Sequence, residues 1–397
     1  MLLLCRVSSL TATRHTRLGI VGSSCIRPLT SWHDDANRKT SVNVVNHGVS
    51  HVIASASKRQ YTIHSSFDDD IIDRYDAFIL DQFGVLHNGQ DALPGAIELV
   101  EYLATRKQKK LIILSNTSAP ADKAMAKLPK FGFDPSHFTG GAVTSGEEAS
   151  RYIRTTFGGS SSTTTSSVAV AAASPPKVLM LTWDASDRDN PRLTALPEMF
   201  LDQCGNIQLA TSVEEADLVL FHGSEVWYKG PDQPSESLSP FIEEGSFERV
   251  DSLLRACLEG TKNLPGVCAN PDFVVQTPAG DGVHYMPGML AARYQELGGH
   301  CQMFGKPGSE HFEACIVKLG LHDKQRVCHV GDSLHHDIAG ASRAGIPSVL
   351  VTSGIHKTEL GTEFGALPTL EVLDELLQKE CDDDVRPSHV VPAFRLG

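Results

Sequence analysis

The sequence predicts an α/β protein whose parallel-sheet core is interrupted by an inserted, smaller α/β domain. Two observations carry this. Short, wholly apolar runs that end in glycine or small polar residues alternate with stretches of helical spacing, the strand–helix–strand order that builds a parallel sheet. That order then breaks at a low-complexity tract, continues as a second α/β block, and resumes near residue 303. No internal repeat of fixed period accompanies it.

The 397-residue chain opens with a segment unlike the rest. Through residue 60 it carries eight basic and two acidic residues, the arginines spread among Ser, Thr and Leu. An acid-poor, Arg- and Ser-rich leader reads as an organellar transit peptide. Its end, RQYTIHSS, has an arginine shortly before Tyr61, so cleavage after Tyr61 in a mitochondrion is expected. A plastid address shares the composition, and an untargeted extension in the cytoplasm is the plainer alternative.

From residue 70 the first part of the core runs to 145. Ala77 to Leu80 forms a buried strand ending at Asp81 and a glycine turn. PGAIELVEYLATRKQ at 94–108 has helical spacing, with Pro94 suited to its first turn. KLIILSNTS at 110–118 is a second apolar strand. The inserted block spans 146–302. It contains the tract GGSSSTTTSS at 158–167, whose composition cannot pack a core, and a polar surface stretch at 230–240. KVLMLTWD at 177–184, ADLVLFHG at 216–223 and PDFVVQTPAG at 271–280 read as buried strands. The core resumes over 303–372 with RVCHVGDS at 326–333, a helix over HDIAGASRAG and the strand PSVLVTSG at 347–354. Residues 373–397 are expected to form a tail.

Composition narrows the function. A net charge of −13 argues against nonspecific nucleic-acid binding, which needs a basic face. No apolar run approaches the roughly 20 residues that span a bilayer. The nine cysteines are scattered with no CxxC pair, which argues against a zinc site or a disulfide framework.

Four elements at strand ends or in loops bear chemistry in this order: Asp81; Ser115 with Asn116; Lys306 in FGKPG; and Asp332 with Asp337 in GDSLHHD. Singly none is specific. Together they suit phosphoryl transfer, since a carboxylate can attack phosphorus and form an acyl phosphate. Attack on a dianion needs positive charge, which Mg²⁺ on carboxylates and Lys306 would supply. Ser115 and Asn116, with neighbouring backbone N–H groups, would hold phosphoryl oxygens.

The order and form of these motifs resemble the haloacid dehalogenase superfamily over about residues 70–360. GVLHNGQDALPGAIELVEYL, NTSAPADKAMAKLPKFGF, TSGEEASRYI, ANPDFVVQTPAG and FGKPGSEHFEACI are similar to subclass IIA, which includes 4-nitrophenylphosphatase-like and phosphoglycolate phosphatase enzymes. The resemblance implies a Rossmannoid core with an α/β cap inserted between the second and third motifs. It also implies Asp81 as nucleophile, Ser115 as phosphate ligand and Lys306 as stabiliser of the charged centre. The Mg²⁺ ligands would be Asp81, Asp332 and the backbone carbonyl of Phe83, with Asp337 supporting the metal or Lys306.

Phe83 departs from the pattern. The related phosphatases carry there a second Asp that protonates the leaving oxygen and then activates water. The chain is therefore expected to be a Mg²⁺-dependent hydrolase of a small organic phosphate, with weakened activity. The alternatives are a catalytically weak or dead protein that binds a phosphorylated ligand, or dehalogenase- or phosphonatase-like use of the same nucleophile. The expected partner is a phosphorylated small molecule, not nucleic acid or membrane; a homo-oligomer stays open. His87 offers a replacement acid/base, set against a solvated turn histidine. His335 and His336 suggest a zinc cluster, set against a surface pair. Asn270 and Asp272 either face substrate or form a turn.

Overall fold

The computed structural model describes residues 61–158, 174–186, 197–259, 263–277, 282–382 and 384–397. The leader through residue 60 and the tract 159–167 lie outside the described residues.

The strands run in chain order as follows. First come β1 (Thr62–Ile63), β2 (Ala77–Leu80), β3 (Lys110–Ser115) and β4 (Ala142–Thr144). Then come β5 (Lys177–Thr182), β6 (Gln208–Leu209), β7 (Leu218–Phe221), β8 (Val226–Tyr228), β9 (Glu236–Ser237), β10 (Gly266–Cys268), β11 (Val274–Gln276), β12 (Val283–Tyr285) and β13 (Cys301–Met303). Last are β14 (Val327–Gly331), β15 (Ser348–Val351) and β16 (His389–Val391). The core sheet has the order β1-β16-β15-β14-β2-β3-β4, and every pairing in it is parallel. A second sheet, built from the intervening sequence, has the order β13-β10-β7-β5-β8-β9 with β6 beside β5.

Both sheets are buried on two faces, which is why their strands read as unbroken apolar runs. In β2, Phe78 and Leu80 join one core cluster and Ala77 and Ile79 join another. The first cluster takes in Leu99, Val100 and Leu103 of the segment Ala96–Arg106. The second takes in Phe312, Cys315 and Ile316 of the helix Ser309–Leu319. Each Leu, Ile, Val or Phe among them withdrawn from water stabilises the fold by about 1.5–3 kcal/mol. In the inserted sheet, Leu179 and Leu181 face the helices Val250–Ala256 and Pro287–Glu296, while Val178 and Met180 face Ala149 and Ile153 of the helix Ser145–Thr156.

Three expectations change. The helix expected over 94–108 is α-helical over Ala96–Glu101 and ends in a π-type turn, Tyr102–Arg106. The described part of PDFVVQTPAG, through residue 277, is not a buried sheet strand: among the described residues β11 pairs only with β12, as a half-buried antiparallel ribbon outside both large sheets. Residues 373–397 are no tail. Leu373, Leu376 and Leu377 of the helix Leu370–Glu380 are buried, and β16 is an interior strand of the core sheet between β1 and β15. Its three residues are too short a run, behind an Asp-rich stretch, to declare themselves in sequence. The fold also starts before residue 70, because Thr62 and Ile63 pair with β16.

Candidate active site

A parallel sheet points the carboxyl ends of all its strands to one edge, and ligands bind beyond that edge. The order β14-β2-β3 sets three sequence-predicted groups side by side there: Asp332 after β14, Asp81 after β2 and Ser115 at the end of β3. The ladder continues to the nucleophile's own backbone, with Asp81 N–H donating to the Val330 carbonyl at 2.9 Å. Lys306 arrives from outside the sheet, in the loop between β13 and the helix Ser309–Leu319.

Lys306 Nζ lies 2.7 Å from Asp81 Oδ1 and 2.7 Å from Asp337 Oδ1. All three side chains are buried, as is Asp332. Burial disfavours the Lys306 ammonium, but Asp337 and Asp81 outweigh it and hold the group above the ordinary lysine range. Asp337 is also buried, yet Lys306 and the bond from His329 hold its carboxyl well below the usual range. Asp81 goes the other way: burial pushes it up to about 7 despite Lys306, with Asp337 adding to the rise. Burial, Asp81 and Asp337 raise Asp332 well above its ordinary value. The centre thus holds three buried carboxylates against one ammonium.

Oxygens of Asp81, Asp332 and Asp337 lie within 4.8 Å of one another. Asp337 is already saturated. Its Oδ1 accepts from Lys306 Nζ at 2.7 Å and from His329 Nε2 at 2.8 Å, and its Oδ2 accepts from the Asp332 and Ser333 N–H groups at 3.2 and 2.9 Å. Asp337 therefore holds Lys306 and the start of the 332–333 turn, leaving Asp81 and Asp332 as the open carboxylates. No hydrogen bond among the described residues ends on the Phe83 carbonyl. Hard oxygen donors and uncompensated negative charge fit a divalent cation such as Mg²⁺. Two glycines make room for Asp332. Gly84 has φ +81°, and a Cβ on it would meet Asp332 Oδ2 at 2.0 Å; a Cβ on Gly354 would meet the same oxygen at 2.1 Å.

Ser115 Oγ accepts from Thr117 N–H at 3.3 Å, which leaves its own hydroxyl proton to donate. Asn116, expected as its companion phosphate ligand, has its side chain committed elsewhere. Its Oδ1 accepts from Lys306 N–H at 2.7 Å, and its Nδ2 donates to Asp272 Oδ1 at 2.7 Å and to the Lys306 carbonyl at 3.2 Å. Asp272 thereby joins the site's surroundings, while Asn270 is buried and closes a turn by accepting from Asp272 N–H at 3.1 Å.

The histidines resolve differently from either sequence reading of His87. It is buried, and its ring stacks on Phe131 at 4.1 Å and meets the Phe83 ring edge-on at 6.0 Å. Nδ1 accepts from Gly89 N–H at 3.2 Å, so the proton sits on Nε2, which faces Gln82 Oε1 at 3.3 Å. Burial, with Lys127 nearby, lowers its pKa to about 4, so it scaffolds the 82–89 turn as a neutral ring. His335 and His336 join neither group of described side chains close enough to share a metal. They pack on Phe273, at ring separations of 5.7 and 6.1 Å. Sequence reasoning missed His329, a lone histidine in an apolar strand. It also missed the Ile355 N–H, which donates to Asp332 Oδ2 at 2.8 Å and which no residue type could have signalled.

The haloacid dehalogenase-like hydrolase family model matches residues 78–173, and a HAD-hydrolase-like model matches 303–379, either side of the inserted sheet. Dihydroxyacetone phosphatase of Corynebacterium glutamicum is 30% identical over 140 residues, 35% of this chain and 49% of that protein, so the chain spans about half the length of that relative. A haloacid dehalogenase-like hydrolase structure from Brucella suis is 24% identical with a TM-score of 0.58, covering 82% of this chain and 98% of its own. A 4-nitrophenylphosphatase structure from Thermotoga maritima is 21% identical with a TM-score of 0.52, covering 81% and 96%. With a parallel core sheet, the four motifs gathered at its carboxyl edge and two family models bracketing an insertion, the chain belongs to the haloacid dehalogenase superfamily.

Proposed function

We propose that this chain is a metal-dependent hydrolase of a small organic phosphate and that Asp81 is its nucleophile. The observation that carries the proposal is the buried Asp81 carboxylate, 2.7 Å from Lys306 at the end of β2, beside a second open carboxylate on Asp332. Mg²⁺ bound by Asp81, Asp332 and the Phe83 carbonyl would supply positive charge for the incoming phosphate. Ser115 Oγ and backbone N–H groups of the 115–117 turn would orient the phosphoryl oxygens.

In the first step an Asp81 oxygen bonds to phosphorus and the bond from phosphorus to the ester oxygen breaks. Lys306 holds Asp81 in line and shares the charge of the phosphoryl group. In the second step water attacks the same phosphorus, releasing phosphate and restoring Asp81. Phe83 can neither protonate the leaving oxygen nor take the proton of that water. This favours substrates with good leaving groups. It also keeps open a second reading, a protein that binds phosphate esters with little turnover.

The inserted sheet with its helices would be the cap that selects the substrate, as in subclass IIA. We further propose import into a mitochondrion with removal of the leader near Tyr61. This rests on the leader's composition and on the start of the core sheet at Thr62. N-terminal sequencing from native cells should begin at or near Thr62; an intact Met1 refutes it. For the activity, acyl, aryl and alkyl phosphates are offered to the purified chain with and without Mg²⁺. Phosphate release that needs Mg²⁺ supports the proposal. Tight ester binding with no release supports the second reading.

A further inference from the structure

Two side chains of the cap reach the core's reactive groups, each through a single amide. Gln276 Nε2 donates to the Gly354 carbonyl at 3.0 Å, with the Ile355 carbonyl also near at 3.4 Å. The peptide group that holds the Gly354 carbonyl also holds the Ile355 N–H, which donates to Asp332 Oδ2 at 2.8 Å. On the second path Lys306 N–H donates to Asn116 Oδ1 and Asn116 Nδ2 donates to Asp272 Oδ1, both at 2.7 Å. An amide that accepts at oxygen donates more strongly at nitrogen, because each bond polarises the next. Gln276 therefore both aims and strengthens the bond on Asp332. Asp272 does the same for the amide that fixes the Lys306 backbone.

Both side chains come from one stretch, 272–276, whose last three residues are β11 of the β11–β12 ribbon. Between them, Phe273 stacks on His335 at 5.7 Å, and Asp272 Oδ1 lies 3.7 Å from His336 Nδ1. The stretch thus grips the core at 335–336 and at 354–355, the second being the segment that bonds Asp332.

We propose that Gln276 and Asp272 are positioning residues, so that Asp332 and Lys306 are fully held only while the cap is docked. The inference rests on the reading of this centre as a metal-assisted phosphoryl-transfer site. Groups that orient a metal ligand typically change affinity or activity by about 10–100-fold when removed. A contact that merely joins two lobes would instead alter stability, or KM, and leave metal affinity unchanged.

The test uses the full chain, with Mg²⁺ alone as the calorimetric probe and 4-nitrophenyl phosphate for kinetics. Gln276→Leu should weaken Mg²⁺ binding about tenfold and lower kcat about tenfold, with KM within about twofold of wild type. Asp272→Ala should lower kcat about tenfold, and Asp272→Asn, which keeps an acceptor oxygen, should restore most of it. Should Gln276→Leu fail to fold, Gln276→Glu keeps the shape, removes the donor and carries the same expectation. Folded variants whose Mg²⁺ affinity and kcat match wild type overturn the inference, as does a rise in KM alone. A wild type that binds no Mg²⁺ and releases no phosphate overturns the metal-centre reading, and this inference with it.

Discussion

In the proposed mechanism, Phe83 stands where the centre would need a group that exchanges protons. A positioned acid or base contributes about 10²–10⁴ in rate, and a phenyl ring supplies neither. Wild-type rates should therefore fall steeply as the leaving-group pKa rises from acyl and 4-nitrophenyl phosphates to sugar phosphates. Phe83→Asp should flatten that dependence and speed breakdown of the Asp81 intermediate, as read by rates across a leaving-group series. A series that is flat in wild type would contradict this role. At this scale much of the site was legible. Asp81 and Asp332 announce themselves as carboxylates at the ends of apolar strands, and Lys306 as a cation between glycine and proline. What stayed hidden was how partners share atoms. Asn116 looks like a phosphate ligand in ILSNTS, yet its amide is held by Lys306 and Asp272. Asp337 is expected from sequence to support the metal or Lys306, and the four donors on it, Lys306 among them, leave it the second task.

Among elements, the apolar runs gave β2, β3, β5, β7, β14 and β15 because strands buried on both faces need no alternation. Strands of two or three residues leave little such trace, which is why β1, β4, β6, β8, β9, β10, β12, β13 and β16 were missed. β16 matters most, since it lies between β1 and β15 in the core sheet. Val390 in its middle is fully buried against Leu350, Leu373 and Leu377. Val390→Asp would bury an unpaired carboxylate, a change that costs several kcal/mol or forces its protonation. Thermal unfolding should shift down by about 5 °C or more, or the chain should fail to accumulate folded. If residues 373–397 were only a tail, the substitution would leave the melting temperature near that of wild type.

For the whole molecule, the core edge carries more buried negative charge than Lys306 can balance. Mg²⁺ should therefore stabilise the fold, by about 2.7 kcal/mol at a hundred times its dissociation constant. The sign of the pH dependence follows from Asp81. Without metal its pKa is raised by burial to about 7, so below that pH metal must displace a proton. Affinity should rise as pH increases through about 7, because Asp81 and Asp332, both raised by burial, must each lose a proton to hold the metal, with proton release on binding at pH 6 read by calorimetry in buffers of different ionisation enthalpy. Affinity independent of pH from 5 to 8 would exclude Asp81 as a ligand. The central claim is that Asp81 attacks phosphorus, and direct detection of the acyl phosphate tests it most closely. The full chain is mixed with acetyl phosphate or 4-nitrophenyl phosphate and Mg²⁺, quenched in acid, and digested for mass spectrometry. The account predicts a hydroxylamine-sensitive phosphate on Asp81, abundant because Phe83 leaves its hydrolysis uncatalysed, and absent in Asp81→Asn. Phosphate release that continues unchanged in Asp81→Asn, with no label on wild-type Asp81, would contradict it.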